Sequence, residues 1–223
     1  MMLSELRKHN IPISDEDIVH EKNLVRKFQA FGYEIHDLDQ LGYIKDFTAD
    51  ETKCIIEYIS LFEHLGTIDF LIRCLGRKGN VTARNWLIDF ILNPSNYIYV
   101  DSTDRRENYK WLAYLTLTKC IKTKSEKEDA LKLISNDSIS TTREMLTFLA
   151  KNGYKGEIVQ HILLYLPDVI SNNDDGSIVG FLEIASKVID PSFKIYIEKF
   201  SLSDDKGIRK MSDNLLKKKY SNK

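Results

Sequence analysis

The stretch Thr48-Ala-Asp-Glu-Thr-Lys-Cys-Ile-Ile-Glu-Tyr-Ile-Ser-Leu-Phe-Glu-His-Leu-Gly66 decides the fold class. Thr48 and Glu51 stand in the capping-box relation. The threonine hydroxyl takes the amide three residues on, and the glutamate reaches back to the cap amide. Cys54, Ile55, Ile59 and Phe62 then recur at three- and four-residue spacing, which is one face of a helix. The pattern predicts a helix over about 49–64, with Gly66 as the stop.

The same punctuation recurs on both sides. Ser14, followed by Asp15, Glu16 and Asp17, opens a helix to about Phe31 that stops at Gly32. Thr67 is placed to cap a short helix to Leu75, ended by Gly76. Asn80 or Thr82 opens the next, with Trp86, Leu87, Phe90 and Ile91 as its stripe and Asn93-Pro94 as its end. A loop of about 93–103 leads into a helix of about 104–122. Ser125-Glu-Lys-Glu128 and Thr141-Thr-Arg-Glu144 read as capping boxes for helices of about 126–134 and 142–152, the second stopped by Gly153. Helices near 156–166, 177–189, 192–200 and 204–219 follow, punctuated by Pro167 and Pro191, with Ser171–Ser177 as a loop. Alternation is confined to Tyr97-Ile-Tyr99-Val and Lys194-Ile-Tyr-Ile197, and helical neighbours overrule the second.

Composition agrees. The chain has 223 residues with 10 Gly and 4 Pro, too few breakers for the closely spaced turns of a sandwich or barrel. With 32 basic against 33 acidic groups, no global field draws it onto nucleic acid or membrane. Residues 1–111 carry 14 Lys/Arg and 18 Asp/Glu, residues 112–223 carry 18 and 15, so the front half suits a basic partner. Cys54, Cys74 and Cys120 are widely spaced inside apolar patterns and read as reduced, buried thiols. The N-terminus has no apolar leader, and no run approaches the ~18 apolar residues of a membrane span. A cytoplasmic location is expected, with no membrane partner. No linker interrupts the pattern, so residues 1–223 read as a single domain. Short helices joined by brief loops each bury one face and need neighbours to be stable, which is the logic of an α-solenoid.

Residues 203–216, Ser-Asp-Asp-Lys-Gly-Ile-Arg-Lys-Met-Ser-Asp-Asn-Leu-Leu, resemble the second helix of a HEAT repeat. An acidic turn precedes the aliphatic–Arg pair Ile208-Arg209, and Met211 and Leu215 follow at helical spacing. Ala83-Arg84 repeats the pair more faintly within 80–91. The resemblance implies an irregular right-handed α-α superhelix of ten to twelve short helices, with Asp205 and Arg209 in an inter-repeat ladder. Spacings of 30–45 residues between similar points depart from the roughly 40–47 of regular units.

Sites with chemistry are scarce. His9, His20, His36, His64 and His161 are scattered and form no metal motif. There is no nucleophile elbow, P-loop or dinucleotide fingerprint. Gly76-Arg-Lys-Gly79 reads as a helix end and a solvated turn. The pairs Asp15/Asp17, Asp37/Asp39, Asp174/Asp175 and Asp204/Asp205 fall at helix starts, where capping and the dipole explain most of them. Lys217–Lys219 suit a helix C-terminus. No catalytic residue, metal ligand or cofactor is assigned. Residues 97–114 stand out with Tyr97, Tyr99, Tyr109, Trp111 and Tyr114, and with Arg105 and Arg106 between them. Tyr, Trp and Arg dominate binding hot spots. Trp111, Leu112 and Leu115 fit a buried stripe. Tyr97, Tyr99, Arg105, Arg106 and Tyr109 are the candidate partner-binding residues.

The expected function is therefore a non-enzymatic protein-binding module. Ile-, Lys- and Asn-rich usage suggests an AT-rich, bacterial genome. Small bacterial solenoids of the kind it resembles include immunity proteins that occlude the active site of a toxin, so the expected partner is a basic toxin domain. The alternatives are a scaffold subunit of a larger complex, or a DNA glycosylase of HEAT-like architecture using Arg84, Trp86, Asp89 and Trp111. Nucleic-acid binding is not favoured by a near-neutral chain.

Overall fold

The structure, a computed structural model, describes residues 14–97 and 103–220. These residues form eleven α-helices with short 3-10 and π turns, and no strand. The chain divides into two compact units, Met1–Thr123 and Lys124–Lys223. No helix among the described residues is long and apolar enough to cross a membrane.

The first unit holds α1 (Asp15–Ala30), α2 (Ala49–Ile59), α3 (Leu65–Cys74), α4 (Val81–Leu92) and α5 (Thr103–Cys120). Ser14 Oγ accepts the Asp17 amide at the start of α1, and Gly32 ends it at φ +96°. Thr48 and Glu51 close both arms of the capping box on α2. Asn80 Oδ1 caps α4 through the Ala83 amide, while its Nδ2 donates to Thr52 Oγ1 at 2.8 Å on α2. The 3-10 turn Leu38–Tyr43 is capped by Asp37. α1 packs on α2, α2 on α3 and α4, and both α3 and α4 on α5. Phe28, Ile55, Leu71, Leu87, Phe90 and Tyr114 are fully buried between them, each contributing about 1.5–3 kcal/mol by leaving water.

Several expectations change here. α2 ends at Ile59, and Gly66 lies inside α3 instead of stopping α2. The cap of α3 is His64, whose Nδ1 accepts the Thr67 amide at 3.2 Å, so Thr67 sits inside the first turn. The Gly76–Gly79 turn is a clamp: Arg77 donates to the Ile44 carbonyl and lies over the Phe47 ring. The Gly79 amide donates to the Cys120 carbonyl from φ +77°, a conformation glycine adopts without strain. The strand hint at 97–100 lies mostly outside the described residues.

The second unit holds α6 (Lys124–Leu133), α7 (Ile139–Leu149), α8 (Lys155–Ser171), α9 (Asp175–Lys187), α10 (Lys194–Phe200) and α11 (Lys206–Leu215). α7 packs on α8 and α9, α9 on α11, and α10 on α11. α7 and α9 approach closely, and a Cβ at Gly180 would stand 3.1 Å from Ser140 Cα. Arg143–Glu183 at 2.9 Å and Lys187–Glu144 at 3.5 Å bridge the same two helices. Tyr220, in the π turn Leu216–Tyr220, donates its hydroxyl to the Ala185 carbonyl.

Boundaries again shift. α6 begins before Ser125, and Ser138, not Thr141, caps α7, its Oγ taking the Thr141 amide. Pro167 lies within α8, which continues to Ser171, so the loop shrinks to residues 172–174. Lys194–Ile197 is helical, as its neighbours require, and Gly153 breaks the chain at φ +105°. Asp205 caps α11 through the Ile208 amide, and Arg209 donates to the Ser203 carbonyl. Both bonds are local, where the resemblance implied a ladder between repeats.

Candidate functional site

The sequence directs attention to residues 97–114, and the structure separates them. Tyr97 is half-buried. Its hydroxyl donates to the Asp89 carboxylate, and its ring meets Trp86 edge-on at 5.4 Å. Those bonds fasten the segment after α4 to that helix. The Tyr97 hydroxyl, with help from Asn93, holds Asp89 below the usual carboxylate range. Tyr99 lies outside the described residues, as do the side chains of Arg105 and Arg106 in the first turn of α5. Tyr109 is only 5% exposed. It belongs to the packed face of α5, which both α3 and α4 cover, and what remains exposed of Tyr109 lines a hollow beside α3.

A hollow of about 300 Å³ lies between α3 and α5. Leu65, Gly66 and Asp69 line it from the first turns of α3, with Asn108, Tyr109, Trp111 and Leu112 from α5. Helical spacing puts them there: Leu65 and Asp69 are four apart, as are Asn108 and Leu112. The turn before α3 is held from a distance. The Asp17 carboxylate, 1% exposed, accepts the Glu63 and His64 amides at 2.9 Å each. His64 then caps α3, and burial holds its imidazole below the usual value. This chain of bonds fixes where Leu65 and Gly66 stand.

Asp69 is the chemically distinct member. Its carboxylate is half-buried and makes neither hydrogen bond nor ion pair of 4 Å or less among the described residues. Burial raises it above the usual carboxylate range, and Arg73, one turn on, pulls it partly back. Arg73 instead lies with its guanidinium carbon 6.0 Å from the centroid of the Trp111 ring. The sequence offered one signal for Asp69: an acid set between Ile68 and Phe70 inside an apolar helix.

The other candidates are engaged elsewhere. His20 meets Tyr58 and Phe62 edge-on, and His161 lies 4.7 Å from the Tyr165 ring. Asp37, Asp174 and Asp205 cap helical turns, as their positions suggested. Among the described residues no three His, Cys, Asp or Glu converge as a metal-ligating group. All three cysteines are buried, and burial pushes Cys74 up to about 12 and Cys120 to about 11. Arg84, Trp86 and Asp89 do not line the hollow that Trp111 enters. No family model, curated protein or solved structure matches this chain.

Proposed function

We propose that the chain is a non-enzymatic protein-binding module that covers a basic site on its partner with its first unit. The observation that carries this is an excess of acidic groups in the first part of the chain. From Asp15 to Asp69 there are 13 Asp/Glu against 5 Lys/Arg. Asp17, Glu21 and Glu51 are buried, and Asp15, Glu16, Glu34, Asp46, Asp50, Glu57 and Glu63 are exposed. Lys22, Arg26, Lys27, Lys45 and Lys53 are exposed on the same stretch, so its surface leans acidic by seven exposed acids to five bases. An acidic bias favours encounter with a basic partner over a phosphate backbone. The aromatic-lined hollow at the end of this segment supplies the desolvated contact that electrostatics alone lacks.

The role this fits best is inhibition by occlusion: a cytoplasmic bacterial immunity protein shielding its cell from a toxin with a basic active site. The packing of helices on their next and next-but-one neighbours within each unit supports an irregular α-solenoid. The test is capture of the partner from the source organism, followed by titration at rising salt. A basic toxin domain whose activity stops at one equivalent, with affinity falling as salt rises, is the expected result. Charge reversal at Glu34, Asp46 and Glu57 together should lower the association rate at least tenfold. A partner bound with no salt dependence, or one left fully active, refutes the proposal.

A further inference from the structure

We infer that the hollow between α3 and α5 receives one arginine side chain of the partner, its guanidinium on the Asp69 carboxylate and against the Trp111 and Tyr109 rings. This rests on the protein-binding reading above and names the contact within it.

Three features converge. The volume of about 300 Å³ is at the small end of ligand sites, room for one side chain. The lining joins a single carboxylate to two aromatic rings, the combination that suits a planar cation able to stack and to fork onto two oxygens. Among the described residues the carboxylate makes no hydrogen bond or ion pair of 4 Å or less, and Arg73 acts on its charge only from a distance. Trp111 already has a guanidinium at 6.0 Å, which shows that this ring tolerates the charge. Two forces oppose the site: the positive end of α3 beside Leu65, and Arg73, which can swing toward Asp69. A guanidinium seated between both rings makes the contacts Arg73 does not, because Arg73 does not line the hollow.

The experiment titrates the chain with Nα-acetyl-arginine methylamide and, separately, with its neutral isostere Nα-acetyl-citrulline methylamide. The readout is the indole N–H resonance of Trp111, assigned with Trp111→Phe. The arginine probe should shift that resonance saturably, with a dissociation constant of order 1 mM. Citrulline should bind at least about tenfold more weakly, and Asp69→Asn should weaken the arginine probe by a similar factor. Leu65→Lys, at an exposed position on the rim, should do the same without touching the core. No shift, an equal response to citrulline, or arginine binding retained in Asp69→Asn overturns the inference. Partner capture does not depend on the probe. A chain that captures its partner but ignores arginine loses this inference and keeps the protein-binding reading.

Discussion

Removing the Asp17 carboxylate should unfasten the face that carries the hollow. Asp17 sits on α1 and accepts two backbone amides 46 and 47 residues away, each at 2.9 Å, from a position 1% exposed. Hydrogen bonds to a charged group contribute about 1.5–3 kcal/mol each, and an unpaired buried donor costs about 1–3 kcal/mol. Asp17→Ala leaves both amides unpaired, so the loss should be about 3–5 kcal/mol. Asp17→Asn keeps one acceptor oxygen but sets its own N–H₂ against the other amide, and should fall at about half that loss. Trp86 and Trp111 both belong to the first unit, so tryptophan fluorescence in urea follows the unit that contains Asp17. With a slope of about 2 kcal/mol/M, the midpoint of Asp17→Ala should fall by roughly 1.5–2.5 M. A fall below about 0.3 M would show that these amides find other partners, and that Asp17 does not hold the start of α3.

Other perturbations act on separate parts of the molecule. Gly180→Ala places a methyl 3.1 Å from Ser140 Cα and 3.3 Å from the Ile139 carbonyl oxygen. It should cost about 1–3 kcal/mol in thermal unfolding, because backbone and not a flexible side chain must move. A neutral change would mean α7 and α9 are not in this contact. His64 caps α3 as an unprotonated acceptor, and burial lowers its folded-state value below the ordinary 6.5. The cap's contribution is present above that ordinary value and disappears as pH falls through the lower folded one. Unfolding of His64→Asn, which keeps a side-chain acceptor at the cap, should lack this acid loss, and an unchanged pH profile would refute it. Asp69 is raised in the folded chain, so its ionised form opposes folding above the ordinary carboxylate range. Asp69→Asn should therefore leave the free protein as stable or more stable at neutral pH while losing the partner. Lower stability in thermal unfolding would show that Asp69 has a structural role.

The local elements were largely legible. Ser14, Thr48, Asn80 and Gly153 act where their side chains or lack of one demand it, because caps and left-handed positions are decided within four residues. What failed was decided from further away. His64 is a rare cap, and it serves because Asp17 holds its backbone from α1. Ser138 and Thr141 both present hydroxyls, and the burial of Thr141 and Thr142 against the unit selects the first. Pro167 lies inside α8, although proline usually ends a helix. The aromatic cluster at 97–114 was visible as composition. Its division into core and surface was not, since α5 mixes polar and apolar residues around its girth, and its contacts with α3, α4 and residues 94–96 hide Tyr109 and Tyr114. Asp69 was overlooked because one acid in an apolar helix gains meaning only beside Trp111, 42 positions on. The division at Thr123 leaves almost no trace in sequence, with α5 and α6 separated by three residues.

The most direct measurement compares partner capture by the native chain, Leu65→Lys and Leu164→Lys. Both leucines are exposed, the first at the hollow and the second on α8 in the other unit. A basic protein held at one to one by the native chain and by Leu164→Lys, but released by Leu65→Lys, is the expected result. Nucleic acid recovered without protein, or a partner lost only with Leu164→Lys, would contradict binding through the first unit.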